Sequence, residues 1–253
     1  MERPVGPLRA SVARLHVLVR GLDVDQLESP SYSSDWSIAY VLSHLGSSAV
    51  MLRERLQDAR AGIETTFDPQ PIWDEWNAKT PRAQADDALA EDERVLEAIE
   101  AMSQEEWETL TFNFGPVAVG LEVAVAVALR LNEHAFHTWD IEVMFDDKAQ
   151  LPGDAVAVIV DNLGLIARFT ARPTGDEREV WLRTNHPRRH FTVRLTTDSA
   201  ELLEGDAGEQ PDLELPAEAF CRLVYGRLDP EHSPAVEANG EVLNTLRRVF
   251  PGP

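Results

Sequence analysis

Cysteine is nearly absent from the chain, because a single residue of this type, Cys221, occurs among 253. One cysteine excludes an internal disulfide and any metal site built on a cysteine cluster. Cys221 lies in an apolar run at residues 220–224, where a buried, unreactive thiol is more common than a nucleophile. The sequence therefore offers no convincing nucleophile of its own.

Basic residues are also scarce: 23 Lys and Arg stand against 44 Asp and Glu, which leaves a formal net charge of −21. A surface of this sign repels phosphate backbones and anionic lipid, so nucleic-acid and membrane partners are not expected. The acidic residues are scattered along helical segments, as is typical of solvated faces, and they say nothing about a substrate.

Long apolar runs are missing as well. The most apolar stretch, residues 117–131, is interrupted by Glu122 and Arg130 and is shorter than the ~20 residues that a membrane span needs. Residues 1–7 lack the basic start and apolar core of a signal peptide. We therefore expect a cytoplasmic protein.

Hydrophobic residues make up 43% of the sequence, enough for one large domain or two small ones. In the first half, apolar positions recur at spacings of three and four, which predicts amphipathic helices. The predicted helices are residues 8–22, a helix capped by Ser34 or Asp35 that runs to about residue 61, residues 82–102, and a helix following Pro116. Four substantial helices with moderate loops favour a four-helix bundle.

The pattern changes after Phe145, and residues 145–154 are the predicted domain junction. Beyond it, apolar and polar residues alternate as they do in half-buried strands. We predict strands at residues 179–184, 190–196, 212–216 and 235–240, and helices at 155–169, 217–225 and 242–250. The predicted fold class is thus α+β, with a helical bundle at residues 1–150 and a smaller α+β domain at 151–253.

Glu133 and His137 form the most informative pair in the chain. They are four residues apart on a predicted helix, so they project side by side from one face. A carboxylate beside an imidazole can supply two corners of a metal site, or can form a hydrogen bond without any metal. The pair alone does not decide between these alternatives, because a metal site needs a third ligand from elsewhere.

His44 is the candidate for that third ligand. It lies at the margin of the apolar stripe of the helix that is capped by Ser34 or Asp35, and it points inward. An isolated histidine at such a position is most often a structural core residue. His134 fits a packing role or contact with a ligand residue, and Asp140 lies one turn beyond His137, where it could orient the ring or a substrate.

These residues carry a resemblance to a known family. The matching motifs are Trp36-x7-His44-Leu45 and Glu133-x3-His137-x-Trp139-Asp140. They resemble the mycothiol-dependent maleylpyruvate isomerase family, whose N-terminal half belongs to the DinB-like metal-binding helical bundles. The resemblance implies that His44, Glu133 and His137 hold a divalent metal, zinc or a similar ion. It also implies a C-terminal domain similar to sterol-carrier folds.

The same resemblance suggests basic residues in the second domain that grip a substrate carboxylate. Arg222 and Arg227 are the candidates, and the sequence does not choose between them. The alternative is that both are surface or interdomain arginines without a role in catalysis.

Two functions follow from these observations. In the first, zinc binds and stabilises the thiolate of mycothiol, which adds to an electrophilic small molecule and so isomerises it or remains as an S-conjugate. Three protein ligands would leave the metal one open position, as in catalytic zinc sites. In the second, the chain is a stress-response or binding protein of DinB-like fold with a non-catalytic metal. The substrate, the identity of the thiol and the choice between monomer and homodimer are left open.

Overall fold

The chain divides into two compact units, Met1–Ala149 and Gln150–Pro253. The structure is a computed structural model, and it describes residues 4–33, 35–63, 68–112, 120–205, 210–232 and 240–252. The first unit is helical and the second contains a four-stranded sheet, which confirms the predicted α+β class. Among the described residues, no helix is both long and apolar enough to cross a membrane.

In the described part of the first unit, four long helices occur together with three short ones and a two-stranded ribbon. The elements are α1 (Val5–Arg20), α2 (Val24–Glu28), α3 (Ile38–Ala61), α4 (Gln70–Asn77), α5 (Pro81–Glu100), α6 (Gln104–Thr109), β1 (Thr111–Phe112), β2 (Leu121–Glu122) and α7 (Val123–Glu142). Helices α1 and α3 each pack against both α5 and α7, so these four form a bundle. Their apolar stripes supply the core, as the helical periodicity predicts.

The starts of α3 and α7 differ from the predicted ones for reasons that the structure shows. Helix α3 begins at Ile38 because Ser37, in an extended conformation, accepts a hydrogen bond from the amide of Tyr40. Asp35 is therefore not the N-cap, and Ser34 lies outside the described residues. Helix α7 begins later than expected, since the residues just before Val123 pair with β1 as the antiparallel strand β2.

A buried ionic network crosses the interior of the bundle. Asp92 on α5 is fully buried, and its carboxylate accepts hydrogen bonds from Arg130 (2.5 Å) and from Nε2 of His134 (3.1 Å), both on α7. The other ring nitrogen of His134 lies 2.9 Å from the hydroxyl of Ser11 on α1. Burial alone raises the pKa of Asp92, but His134 and Arg130 outweigh this effect and lower it.

Arg130 extends the same network to the remaining long helix. Its guanidinium donates to the hydroxyl of Ser48 (2.6 Å) and to the carbonyl of Leu45 (3.1 Å), both on α3. All four long helices are therefore joined by side chains that surround one buried ion pair. These directional bonds fix the axial position of α3 relative to α7. Apolar packing alone specifies that position less strictly.

In the second unit, helices accompany a four-stranded sheet. The elements are α8 (Gly153–Ile159), α9 (Leu163–Thr170), β3 (Arg178–Asn185), β4 (Arg189–Leu195), β5 (Ala200–Glu204), β6 (Leu213–Pro216), α10 (Ala217–Val224) and α11 (Gly240–Val249). The strand order is β5-β4-β3-β6, and β6 is parallel to β3 whereas the other neighbours are antiparallel. Along β3, Val180 and Leu182 are buried while Trp181 between them is exposed, as the predicted alternation requires.

Three details of this unit differ from the prediction or lie beyond its test. The helix expected at residues 155–169 is divided by a 3-10 turn at Val160–Asn162. Strand β5 was not predicted, because its Ala, Glu and Leu residues favour helix, and pairing with β4 overrides that preference. The strand predicted at residues 235–240 falls mostly outside the described residues.

We predict that Asp92→Asn destabilises the first unit. The substitution leaves the Arg130 guanidinium buried without its counter-charge, which typically costs about 3–5 kcal/mol. Urea unfolding followed by circular dichroism measures the effect at neutral pH. Asp86→Asn, an exposed change on the same helix, is the matched control and is expected to be nearly neutral.

The lowered pKa of Asp92 predicts how the destabilisation by Asp92→Asn changes with pH. The folded pKa of Asp92 lies below its ordinary value, so the carboxylate stabilises the fold fully above the unfolded pKa and loses that effect as the pH falls through the folded pKa. The difference between wild type and Asp92→Asn should therefore shrink in acid. Equal stability of the two proteins at neutral pH would contradict this role for Asp92.

Candidate metal centre

His44, Glu133 and His137 converge at one point between α3 and α7. Each residue offers one ligand atom, and these atoms all lie within 4.8 Å of one another. The two α7 residues are one helical turn apart, and His44 faces them across the helix interface that Arg130 ties together. The structure thus brings together the three residues that the sequence motifs singled out.

The spacing suits a small divalent cation. Nε2 of His44 is 3.0 Å from Oε2 of Glu133, and Nε2 of His137 is 3.5 Å from the same oxygen. Tetrahedral ligands at about 2.0–2.1 Å from a zinc ion lie roughly 3.3 Å apart. Two imidazoles and one carboxylate also match the donor types that zinc accepts in catalytic sites. The three residues therefore fit a divalent metal in both geometry and chemistry.

Asp140 orients the ring of His137, one of the candidate ligands. Its fully buried carboxylate lies 2.9 Å from Nδ1 of His137, which directs Nε2 of that ring towards Glu133. A carboxylate behind a ligating histidine sets the tautomer and the ring orientation in many metal sites. The expectation that Asp140 could orient the His137 ring agrees with this contact.

The electrostatics of the centre favour positive charge. Burial lowers the pKa of His137, but hydrogen bonds to Asp140 and Glu133 outweigh it and raise the pKa to about 9. Burial likewise raises the pKa of Glu133, yet hydrogen bonds from His137 and His44 hold it well below its usual range. The two carboxylates therefore stabilise a cation here, whether it is a proton or a metal ion.

An indole ring covers the imidazoles. The Trp36 ring lies 5.3 Å from that of His44 and 6.0 Å, nearly parallel, from that of His137. The two imidazoles are 4.8 Å apart in an edge-on arrangement. The side chains of Glu133, His44 and His137 are 44%, 30% and 11% exposed, so solvent reaches the centre mainly past Glu133 and His44.

The arginines proposed for substrate binding lie in the second unit. Arg222 is buried, and its guanidinium binds both carboxylate oxygens of Glu218 and the carbonyls of Arg227 and His232. Arg227 is also buried and donates to the carbonyl of Tyr225. These contacts hold both groups within their own unit, and a role towards a carboxylate substrate stays a prediction.

Cys221 is fully buried in α10, and burial raises the pKa of its thiol well above the usual range. A neutral thiol without access to solvent is a poor nucleophile. The sequence prediction of an inert cysteine agrees with this environment.

Sequence reasoning gave no functional role to Trp36, to Tyr40 or to the face of α4 that lies near His44. The sequence signal was present, since Trp36, Tyr40 and His44 recur every four residues. Such a stripe is ordinarily core, and only the tertiary structure shows Tyr40 to be partly exposed.

We expect the purified protein to bind about one divalent ion per chain, because three ligands converge. His44→Ala and His137→Ala should each abolish stoichiometric binding, measured by elemental analysis after dialysis. His186→Ala, an exposed histidine of the second unit, is the control and should retain the metal. Equal metal content in wild type and in the His44→Ala, His137→Ala double variant would exclude the site.

Asp140→Asn tests the orienting role separately. The three ligand residues remain, but the ring of His137 loses its charged partner, so metal affinity should fall about 10–100-fold. Competition with a chromophoric chelator measures the affinity directly. Unchanged affinity in this variant would show that the His137 ring is positioned without help from Asp140.

Comparison with known proteins places the chain in a family. Residues 8–142 match the model of the mycothiol maleylpyruvate isomerase N-terminal domain, which is more than half of the chain. A crystal structure of the mycothiol-dependent maleylpyruvate isomerase and one of its histidine-to-alanine mutant are similar in fold. Each has a TM-score of 0.64 and 13% identity over 88% of both chains. No curated protein matches the sequence. The chain therefore belongs to the mycothiol maleylpyruvate isomerase family, a family of enzymes, as its histidine and glutamate motifs predicted.

Proposed function

We propose that the protein is a metal-dependent enzyme that uses mycothiol as a thiol cosubstrate and isomerises or S-conjugates an electrophilic small molecule. One observation carries the proposal: His44, Glu133 and His137 converge with metal-ligand spacing in a chain of this family. Zinc or a similar divalent ion suits the ligands, and the cytoplasm is the expected location.

The chemistry requires a thiolate and an unsaturated substrate. A bound divalent cation would favour ionisation of the cosubstrate thiol, whose reversible addition to a carbon–carbon double bond permits rotation, while retention of the adduct gives S-transfer. His44, Glu133 and His137 would hold the cation, with three ligands leaving a position for sulfur.

The chain itself contributes orientation and charge. Asp140 holds the His137 ring through Nδ1, so that Nε2 stays directed at the centre. The Trp36 ring shields both imidazoles from one side and limits the access of competing water. Burial of Cys221 supports the use of an external thiol, because the protein's own sulfur is not available for reaction.

The proposal keeps Arg222 and Arg227 as possible partners of a substrate carboxylate. Arg222 is held by Glu218, so its removal would affect stability as well as any binding of substrate. A comparison of KM with the unfolding midpoint in Arg222→Ala and Arg227→Ala separates these effects. A raised KM with an unchanged midpoint would identify the arginine that binds the carboxylate.

We expect turnover of an unsaturated acid such as maleylpyruvate to require both mycothiol and the metal. Removal of the metal by a chelator should abolish turnover, and added zinc should restore it. Cys221→Ala should keep nearly full activity, since the nucleophile is external. The measurement is the rate of isomerisation with and without mycothiol, at matched metal content.

Two results would contradict the proposal. The first is turnover in the absence of any added thiol. The second is loss of turnover in Cys221→Ala while its metal content and circular dichroism spectrum remain those of the wild type. Either result would place the reacting group on the protein itself.

A further inference from the structure

The sheet of the second unit has two faces of different character. Helix α9 packs against β5, and α10 packs against β3 and β6. Successive side chains of a strand point to opposite faces, so the apolar residues that are buried at alternate positions define the face towards these helices. The residues between them are each partly or fully exposed, and we call their side of the sheet the open face. It comprises Glu179, Trp181 and Arg183 on β3, His190, Thr192 and Arg194 on β4, Glu201 and Leu203 on β5, and Glu214 on β6.

An apolar row crosses the middle of the open face. Thr192 on β4 is paired with Trp181 on one side and with Leu203 on the other. Trp181 is 41% exposed, although it is the largest apolar side chain of the row. Aromatic residues are enriched in the cores of protein interfaces and often carry much of their binding energy. The row is therefore a candidate interface core.

A charged row flanks the apolar row on each side. On one side, Arg194 lies between two glutamates, with Nε 2.9 Å from Oε1 of Glu179 and Nη1 4.0 Å from Oε2 of Glu201. On the other side, Arg183 donates to Glu214. An apolar centre with a polar rim is the usual anatomy of a protein interface.

The pattern of the open face is complementary to itself. A twofold axis that runs along the strands, between β3 and β4, places β3 of one copy opposite β4 of a second copy. Trp181 of each copy then lies over the smaller Thr192 of the other, which suits the spacing of about 10 Å between stacked sheets. Glu179 of each copy lies over Arg194 of the other, so that opposite charges alternate among the four groups. A symmetric contact of this kind closes as a dimer.

The charge of the face disfavours other classes of partner. Its three glutamates outnumber its two arginines, and the chain as a whole carries −21, so phosphate backbones and anionic lipid are repelled. A foreign protein would have to reproduce the order of charges on the face, whereas a second copy has that order by symmetry. The net charge also opposes self-association, but salt screens it beyond about 8 Å at physiological ionic strength.

We propose that the open face is a homodimer interface in which two copies stack their sheets around Trp181. Three rows across four short strands offer less than the about 800 Å² per partner that a standard interface buries. The dimer is therefore weak and in equilibrium with the monomer. This inference does not depend on the proposed function, because the candidate metal ligands lie in the first unit.

Sedimentation equilibrium of the full-length protein at physiological salt tests the proposal. The average mass should rise from that of one chain towards that of two as the protein concentration increases. Trp181→Ala should weaken dimerisation about tenfold or more, because a central tryptophan is lost from both copies. Trp73→Ala is the matched control, since Trp73 is 39% exposed in the first unit, and it should dimerise as the wild type does.

A charge exchange tests the arrangement of the two copies. Arg194→Glu places four carboxylates together at the twofold axis and should abolish dimerisation. Combining it with Glu179→Arg restores the alternation of charge and should restore the dimer. Arg9→Glu, which breaks the exposed pair with Glu100 in the first unit, changes the net charge equally and is the control. Circular dichroism melting confirms that each variant is folded.

Two results would overturn this inference. The first is a wild-type protein that stays monomeric at every concentration. The second is a dimer whose dissociation constant is the same in wild type, Trp181→Ala and Arg194→Glu, which would place the contact on another surface.

Discussion

The buried ion pair between Arg130 and Asp92 is the constraint on which the rest of the first unit depends. Desolvation of two charges is costly, and it is offset here because His134, Ser48 and a carbonyl of α3 supply further hydrogen bonds. Helices that contact only through apolar stripes can shift along one another by a turn at modest cost. The hydrogen bonds of Arg130 and Asp92 form in one relative position only. The height of α3 against α7 follows from them, and His44 is thereby placed opposite Glu133.

The candidate metal centre lies on this frame and holds negative charge in a half-buried position. Glu133 and Asp140 lie on either side of the His137 ring, and together they raise its pKa to about 9 against the effect of burial. The same electrostatics that retain a proton would stabilise a divalent cation in its place, with release of the proton. The protein thus supplies charge and orientation, while its only thiol, on Cys221, is buried in the other unit.

Two kinds of side chain surround the candidate metal centre. The ionisable groups Glu133 and Asp140 lie beside the candidate ligand His137. The adjoining cleft between α3 and α4 is lined mainly by aromatic rings and amides among the residues described. The described groups that stabilise positive charge at the His137 ring are therefore Glu133 and Asp140.

The sequence alone determined the α+β class, the helical first half and the three candidate ligands. Hydrophobic periodicity and i, i+4 spacing are local properties, so they can be recognised without knowing which elements pack together. It did not decide whether His44 is a core residue or a ligand, since an inward histidine is compatible with both, and the ligand role stays a prediction. It also missed β5, whose residues favour helix, and the part played by Asp92, a single acid among many on α5. The tertiary structure decided the last two points, because burial and strand pairing depend on residues far apart in the chain.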